Sequence, residues 1–222
     1  MAQALTDCSF ERALAENATG KRTRSNQNKT RQYLHALYDL DRGLPRFRAL
    51  MAFWEMTAPS EQPLLALLYA LGKDSLLAES AHLLIACPVG ASLPAAIFSQ
   101  KVSERHPGRY SEESVAAIGQ RLASSWKQAG YLRGMYANRR TEVMPGYQVL
   151  AFAMLLAYLA GARGQFILQS PEVQALCLAE SRIRELAFEA SKRDLMRFQS
   201  AGAVITVSFE TILNKLDIHD QG

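Results

Sequence analysis

Gln120, Arg121, Ser124 and Lys127 fall within eight residues at helical spacing, which sets an amide, a hydroxyl and two cations on one side of a helix. Amides and hydroxyls hydrogen-bond base edges, while Arg and Lys serve guanines and phosphates. Two further sets share that chemistry. Lys21, Arg22, Arg24, Lys29 and Arg31 form a basic run without an acid, interleaved with Ser25, Asn26, Gln27 and Asn28. Arg133, Arg139 and Arg140 follow the first set after a short gap. The chemistry on offer is contact with a polyanion. Each set also has a plainer reading: a polar outer helix face, a solvated linker, an ordinary charged surface.

The elements that must hold these residues are legible around them. Ser111 followed by Glu112, Glu113 and Ser114 suits a helix start, with a hydroxyl cap and carboxylates at the positive dipole end. Val115, Ile118, Leu122 and Trp126 then form the apolar face, opposite Ala117, Gln120, Ser124 and Gln128. Gly130 suits the C′ position. Beyond it, Tyr131-Leu132-Arg133 and the segment from Arg139 to Met144 are expected as two short strands around Tyr136-Ala137-Asn138, with Arg139 and Arg140 near the tip. With a helix before them, residues 93–145 resemble a winged helix-turn-helix, whose second helix enters a DNA major groove.

Charge follows the same division. Residues 1–50 carry nine Lys/Arg against five Asp/Glu, and 101–146 carry eight against four. Residues 51–100 carry one against four, and 147–222 seven against eight, so a net charge of +4 is concentrated on the N-terminal part and the winged segment. The chemistry search is otherwise empty. There is no phosphate-binding loop, dinucleotide turn, nucleophile elbow or zinc helix, and no cofactor or metal site is expected. His35, His82, His106 and His219 are widely spaced, and adjacent Glu112 and Glu113 point in different directions. Cys8, Cys87 and Cys177 are far apart without a CxxC pair, which argues for a reducing compartment. No signal peptide is read at the N-terminus. The uncharged stretch 144–162 contains Pro145, Gly146, Gln148 and Gly161, and reads as a buried helix over about 147–159 rather than a membrane span. A soluble, cytoplasmic chain is expected.

The remaining pattern is mostly helical. A short helix is expected near 10–15, then helices over 30–40, 46–56, 62–71 and 75–87. Past Pro145, residues 165–168 read as a brief strand, and Ser170-Pro171 as a capped helix start. A helical stripe covers 181–190, and Ser191 with Asp194 reads as a capping box for a further helix ending at Gly202. Residues 204–209 alternate as a half-buried strand. Trp126 to Leu132 and Phe198 to Val204 share aromatic-x-x-Ala-Gly-x-aliphatic, which raises the option of a second winged-helix-like module; chance convergence is the other. The fold class is therefore mainly α. It combines a basic arm and helical bundle over 1–90, a winged helix-turn-helix-like unit over 91–146, and a C-terminal helical module with a short β element over 147–222.

The basic N-terminal start, the helical first half, the Ser-rich helix running into Ser125-Trp126-Lys127-Gln128-Ala129-Gly130-Tyr131-Leu132, and the closing Ala201-Gly202-Ala203-Val204-Ile205 together resemble the BrxA family of bacterial BREX phage-exclusion systems. The resemblance implies a small, mostly helical protein that binds double-stranded DNA and supports phage defence without enzymatic activity. Other proteins of the defence system are its implied partners. It carries no compact set of functional residues across, so the expected interface rests on charge and face: Lys21, Arg22, Arg24, Lys29, Arg31, Gln120, Arg121, Ser124, Lys127, Arg133, Arg139 and Arg140. A protein-interaction scaffold and an RNA-binding antitermination-like bundle are the alternatives. Target sequence and oligomeric state have no signature in the chain.

Overall fold

A computed structural model describes Glu16 and residues 19–134, 137–201 and 204–218. In these the chain runs α1 (Arg24–Tyr38), α2 (Pro45–Met56), α3 (Gln62–Leu71), α4 (Ser75–Ala86), α5 (Ala95–Arg105) and α6 (Glu112–Gln128). A hairpin of β1 (Leu132–Arg133) and β2 (Arg139–Arg140) follows. The second half contains α7 (Tyr147–Leu159), α8 (Gln165–Leu168), α9 (Pro171–Gln174) and α10 (Glu180–Lys192). It closes with the antiparallel pair β3 (Arg197–Ala201) and β4 (Val204–Ser208), then α11 (Glu210–Lys215). The chain is mainly helical with a short C-terminal β element, as its periodicity predicts. The helix expected near 10–15 and the expected stop at Gly202 lie outside the described residues.

Two helices are apolar on every side and take the centre, as all-round hydrophobic helices must. In α7 every residue from Val149 to Ala157 is buried. In α3 the buried set runs from Leu64 to Leu71 with only Ala66 partly exposed. α7 packs against α2, α3, α9 and α10, so one core serves both halves of the chain. No helix of the described residues is long and apolar enough to cross a membrane.

Helix starts follow their caps. Thr23 accepts from Asn26 N at 3.3 Å, Asp74 from Leu77 N at 3.0 Å, Ser111 from Ser114 N at 3.3 Å and Ser170 from Val173 N at 3.3 Å. Thr23 begins α1 earlier than its apolar stripe suggests, so most of the expected basic arm is helix. α1 is anchored at its far end, where Tyr38 stacks on Tyr69 with centroids 5.7 Å apart and burial pushes the Tyr38 phenol up to about 12. Tyr33, on the same helix, is exposed.

Three expectations in the second half are corrected. Residues 165–168 form the helix α8 rather than a strand, because four apolar residues cannot fix a period. The helix expected over 191–202 does not form. α10 continues through Ser191 to Lys192, the chain turns at Asp194 (φ 56°), and 197–201 is strand β3, paired residue for residue with β4. Ser191 caps no helix; its hydroxyl accepts from Phe198 N at 3.4 Å. The seven-residue match also fails structurally, since Trp126 closes a helix while Phe198 lies in a strand. β4 itself alternates as read, with Val207 buried and Val204 exposed.

Candidate nucleic-acid interface

α5 and α6 cross closely because position 119 lacks a side chain. A Cβ on Gly119 would overlap the Ser99 hydroxyl and lie 2.9 Å from Ala95 O. α4 braces the same pair from behind. Trp126, fully buried, donates through Nε1 to Ser80 Oγ at 2.7 Å, and Glu79 of α4 holds His106 Nε2 at 3.0 Å and Arg105 Nη1 at 3.7 Å. His106 opens the turn between α5 and α6, so these contacts fix the angle of the helix-turn-helix. Sequence spacing alone gave no sign of Ser80 or Gly119.

α6 ends as its sequence predicts, with Gly130 at φ 90°. β1 and β2 pair Leu132 with Arg140 and Arg133 with Arg139. A third segment joins them from before α5. Gly90 N donates to Arg140 O at 2.8 Å, Arg140 N to Ala91 O at 2.9 Å and Leu93 N to Asn138 O at 2.8 Å, with a bridge between Ser92 and Arg139. The order is thus helix, edge segment, helix, helix, hairpin, with the edge segment on the outer side of β2. α6, the longer of the two helices, thus leads directly into the hairpin.

The expected contact residues divide into three groups. Gln120, Arg121, Ser124 and Lys127 all lie exposed on the outer face of α6. Gln128 Nε2 donates to Ser124 Oγ at 3.2 Å, while Lys127 Nζ donates to Gly134 O and so ties the helix to the wing. Arg133 and Arg139 are exposed on the hairpin, with Arg139 Nη1 donating to Gly90 O at 3.1 Å. Arg109, which spacing did not single out, stands exposed in the α5–α6 turn with its guanidinium 5.3 Å from the Tyr110 ring centroid. Among the described residues, no carboxylate pairs with Arg109, Arg121 or Arg133. Glu112 and Glu113 occupy the first turn of α6, so the cationic surface covers its second half and the wing.

Arg140 corrects the expectation. It is only 4% exposed and faces the interior, because a strand alternates and β2 has two residues, one for each side. Its Nε donates to Leu84 O at 3.1 Å, Nη1 donates to Thr141 O, and its guanidinium lies 5.0 Å over Tyr131. Tyr131 meets Trp126 edge to face at 5.0 Å and donates to Ala175 O at 2.7 Å; its burial drives the phenol pKa far above the ordinary value. Arg140 therefore positions the hairpin and does not reach a phosphate.

The N-terminal set forms a separate surface. Lys21 and Arg22 precede α1, while Arg24, Lys29 and Arg31 lie exposed along it. α1 contains no acid, and Gln27 Nε2 donates to Lys21 O at 3.0 Å across its first turn. Among the described residues no group of His, Cys, Asp and Glu is placed to hold a metal ion.

No family model, no curated protein and no solved structure matches this chain.

Proposed function

We propose that this chain is a non-enzymatic double-stranded DNA-binding protein that lays α6 in the major groove and its β1–β2 wing along the backbone. The observation that carries the reading is the conjunction of topology and charge: the helix-turn-helix and wing present Arg109, Arg121 and Arg133 outward without a carboxylate partner. Arg139 and Lys127 extend that surface, and the basic face of α1 supplies a second contact. The polar, short-chained face of α6 suits backbone holding with weak base reading. A role as an accessory component of a bacterial anti-phage system of the BREX type rests on the resemblance to the BrxA family, and such a role belongs in the cytoplasm.

The test is duplex binding by fluorescence anisotropy across a salt series. If about six phosphates are neutralised, log K falls against log salt with a slope near −5. A slope near zero, or no binding at low salt, removes the proposal. A scaffold reading has one observation in its favour: Phe166, Phe188 and Val204 of the C-terminal part are exposed. Co-purification of a stable partner with no duplex binding would select it.

A further inference from the structure

The two basic surfaces differ in how they are held. α6 is braced from behind through fully buried Trp126, whereas α1 buries only Tyr38, at its far end. There Tyr38 stacks on Tyr69, Tyr69 Oη donates to Asp39 Oδ2 at 3.3 Å, and Lys73 Nζ lies 2.7 Å from the same oxygen. Just past this anchor Asp39 and Leu40 both take left-handed backbone, with φ 57° and 48°, so α1 does not run on into α2. Leu34 and Leu37 pack half-buried against the core, but from Arg24 to Tyr33 no residue is buried.

The first two-thirds of α1 must therefore stand on local chemistry, and that chemistry is poor. Ser25, Asn26, Asn28 and Thr30 are weak helix formers, because their short polar side chains compete for backbone hydrogen bonds. α1 has 15 residues, a length at which an isolated helix is marginal in water even when rich in alanine. Its charges also oppose its dipole. Lys21, Arg22 and Arg24 stand at the positive end, no acid lies in the first turn, and none follows in the helix. Low burial, weak propensity and opposed charge together mark a segment of low local stability. Phosphates supply what this segment lacks: they neutralise its cations and are favoured at the positive end of a helix.

On the DNA-binding reading above, we propose that residues 24–33 are a conditional helix, exchanging with unfolded chain in the free protein and ordered by the phosphates of a duplex. α1 then folds as it binds. The cost of ordering it lowers affinity, so a change that preforms the helix strengthens binding without adding a contact. The test compares two doubly substituted full chains, Asn28→Ala with Thr30→Ala and Asn28→Gly with Thr30→Gly. Both remove the same polar groups and keep every charge, so they differ chiefly in helix propensity. By fluorescence anisotropy on a mixed-sequence duplex, the alanine pair should bind about tenfold tighter than the glycine pair, with the same salt slope. Far-ultraviolet circular dichroism of the parent should gain helix when duplex is added, and the alanine pair should gain less. Urea melts of both pairs should keep the parent midpoint, since neither substituted side chain is buried. Affinities within twofold of each other while the parent binds duplex would overturn the conditional helix and leave DNA binding standing. A lowered midpoint for the glycine pair would place 24–33 in the cooperative core and overturn it as well. No duplex binding by the parent would remove the DNA-binding reading and the conditional helix together.

Discussion

α6 with the β1–β2 hairpin and α10 with the β3–β4 hairpin are built on the same order of elements, a shorter helix, a longer helix and an antiparallel pair, yet their charges are handled in opposite ways. On α10, Arg182 pairs with Glu185 at 2.9 Å and Arg184 with Glu180, and Arg193 just beyond it reaches Glu189 at 3.8 Å. Each arginine there has an acid three or four residues away, the arrangement that stabilises an exposed helix locally. On α6 the acids stop at Glu113, and among the described residues no carboxylate pairs with Arg121. α10 thus pairs Arg182, Arg184 and Arg193 with its own acids, whereas Arg109, Arg121 and Arg133 have no carboxylate partner among the described residues. The same order of elements does not fix how a unit meets its surroundings; the pairing of its surface charges does.

The sharpest way to break this comparison is to remove what holds α6 in place. Trp126→Ala empties a fully buried site and leaves Ser80 Oγ without its donor, and it should lower unfolding free energy by about 4 kcal/mol in a urea melt. Loss below about 1 kcal/mol would mean that α6 is not fixed from behind by this contact. Arg140→Ala comes next, at about 3 kcal/mol, because it removes a buried cation with hydrogen bonds to Leu84 O and Thr141 O. Arg139→Ala beside it should leave the melt within about 0.5 kcal/mol and weaken DNA binding instead. An inverted result, with Arg139 structural and Arg140 on the DNA, would overturn the orientation of β2.

That pair of arginines also marks where sequence ceases to be informative. The capped helix start at Ser111, the left-handed Gly130 and the short strands on either side of the wing all follow from local chemistry, and α3 and α7 announce their central places by being apolar on every side. Which of two adjacent arginines faces inward depends on the edge segment 90–93 pairing with β2, a contact between residues nearly fifty positions apart. Residues 191–201 failed for a related reason. Their local pattern of Ser, Asp and apolar residues suits a helix start, but in-register pairing with β4 along all five residues of β3 prevails. The close approach at Gly119 and the hydrogen bond from Trp126 to Ser80 are equally non-local. The exposed face of α6, by contrast, follows directly from its period.

Solution binding sharpens the comparison at its charged faces. Arg121→Ala with Arg133→Ala should weaken duplex binding about tenfold at moderate salt and reduce the magnitude of the salt slope by roughly 2, one for each lost phosphate contact. Arg182→Ala with Arg193→Ala removes the same formal charge from the C-terminal unit and should change affinity less than twofold, since those cations are already compensated. Equal losses from the two pairs would show that net charge alone drives binding and that α6 holds no privileged place.

The smallest expected effect tests whether α6 reads bases at all. Gln120 is the one exposed side chain on its outer face that can offer an amide to a base edge without a partner of its own, since Gln128 already donates to Ser124. Its helical neighbours toward the start of α6 are Ala116 and Ala117, which offer no polar group to hold its amide in one orientation. A single carboxamide can bond adenine N6 and N7 at once, but only when held in the plane of the base, and an amide without a supporting partner discriminates poorly. Gln120→Ala should therefore shift affinity by less than twofold, and by the same factor on every duplex in a panel of differing sequence. A preference present in the parent and absent from the variant would mean that α6 reads sequence as well as holding the backbone, and would separate it further from α10.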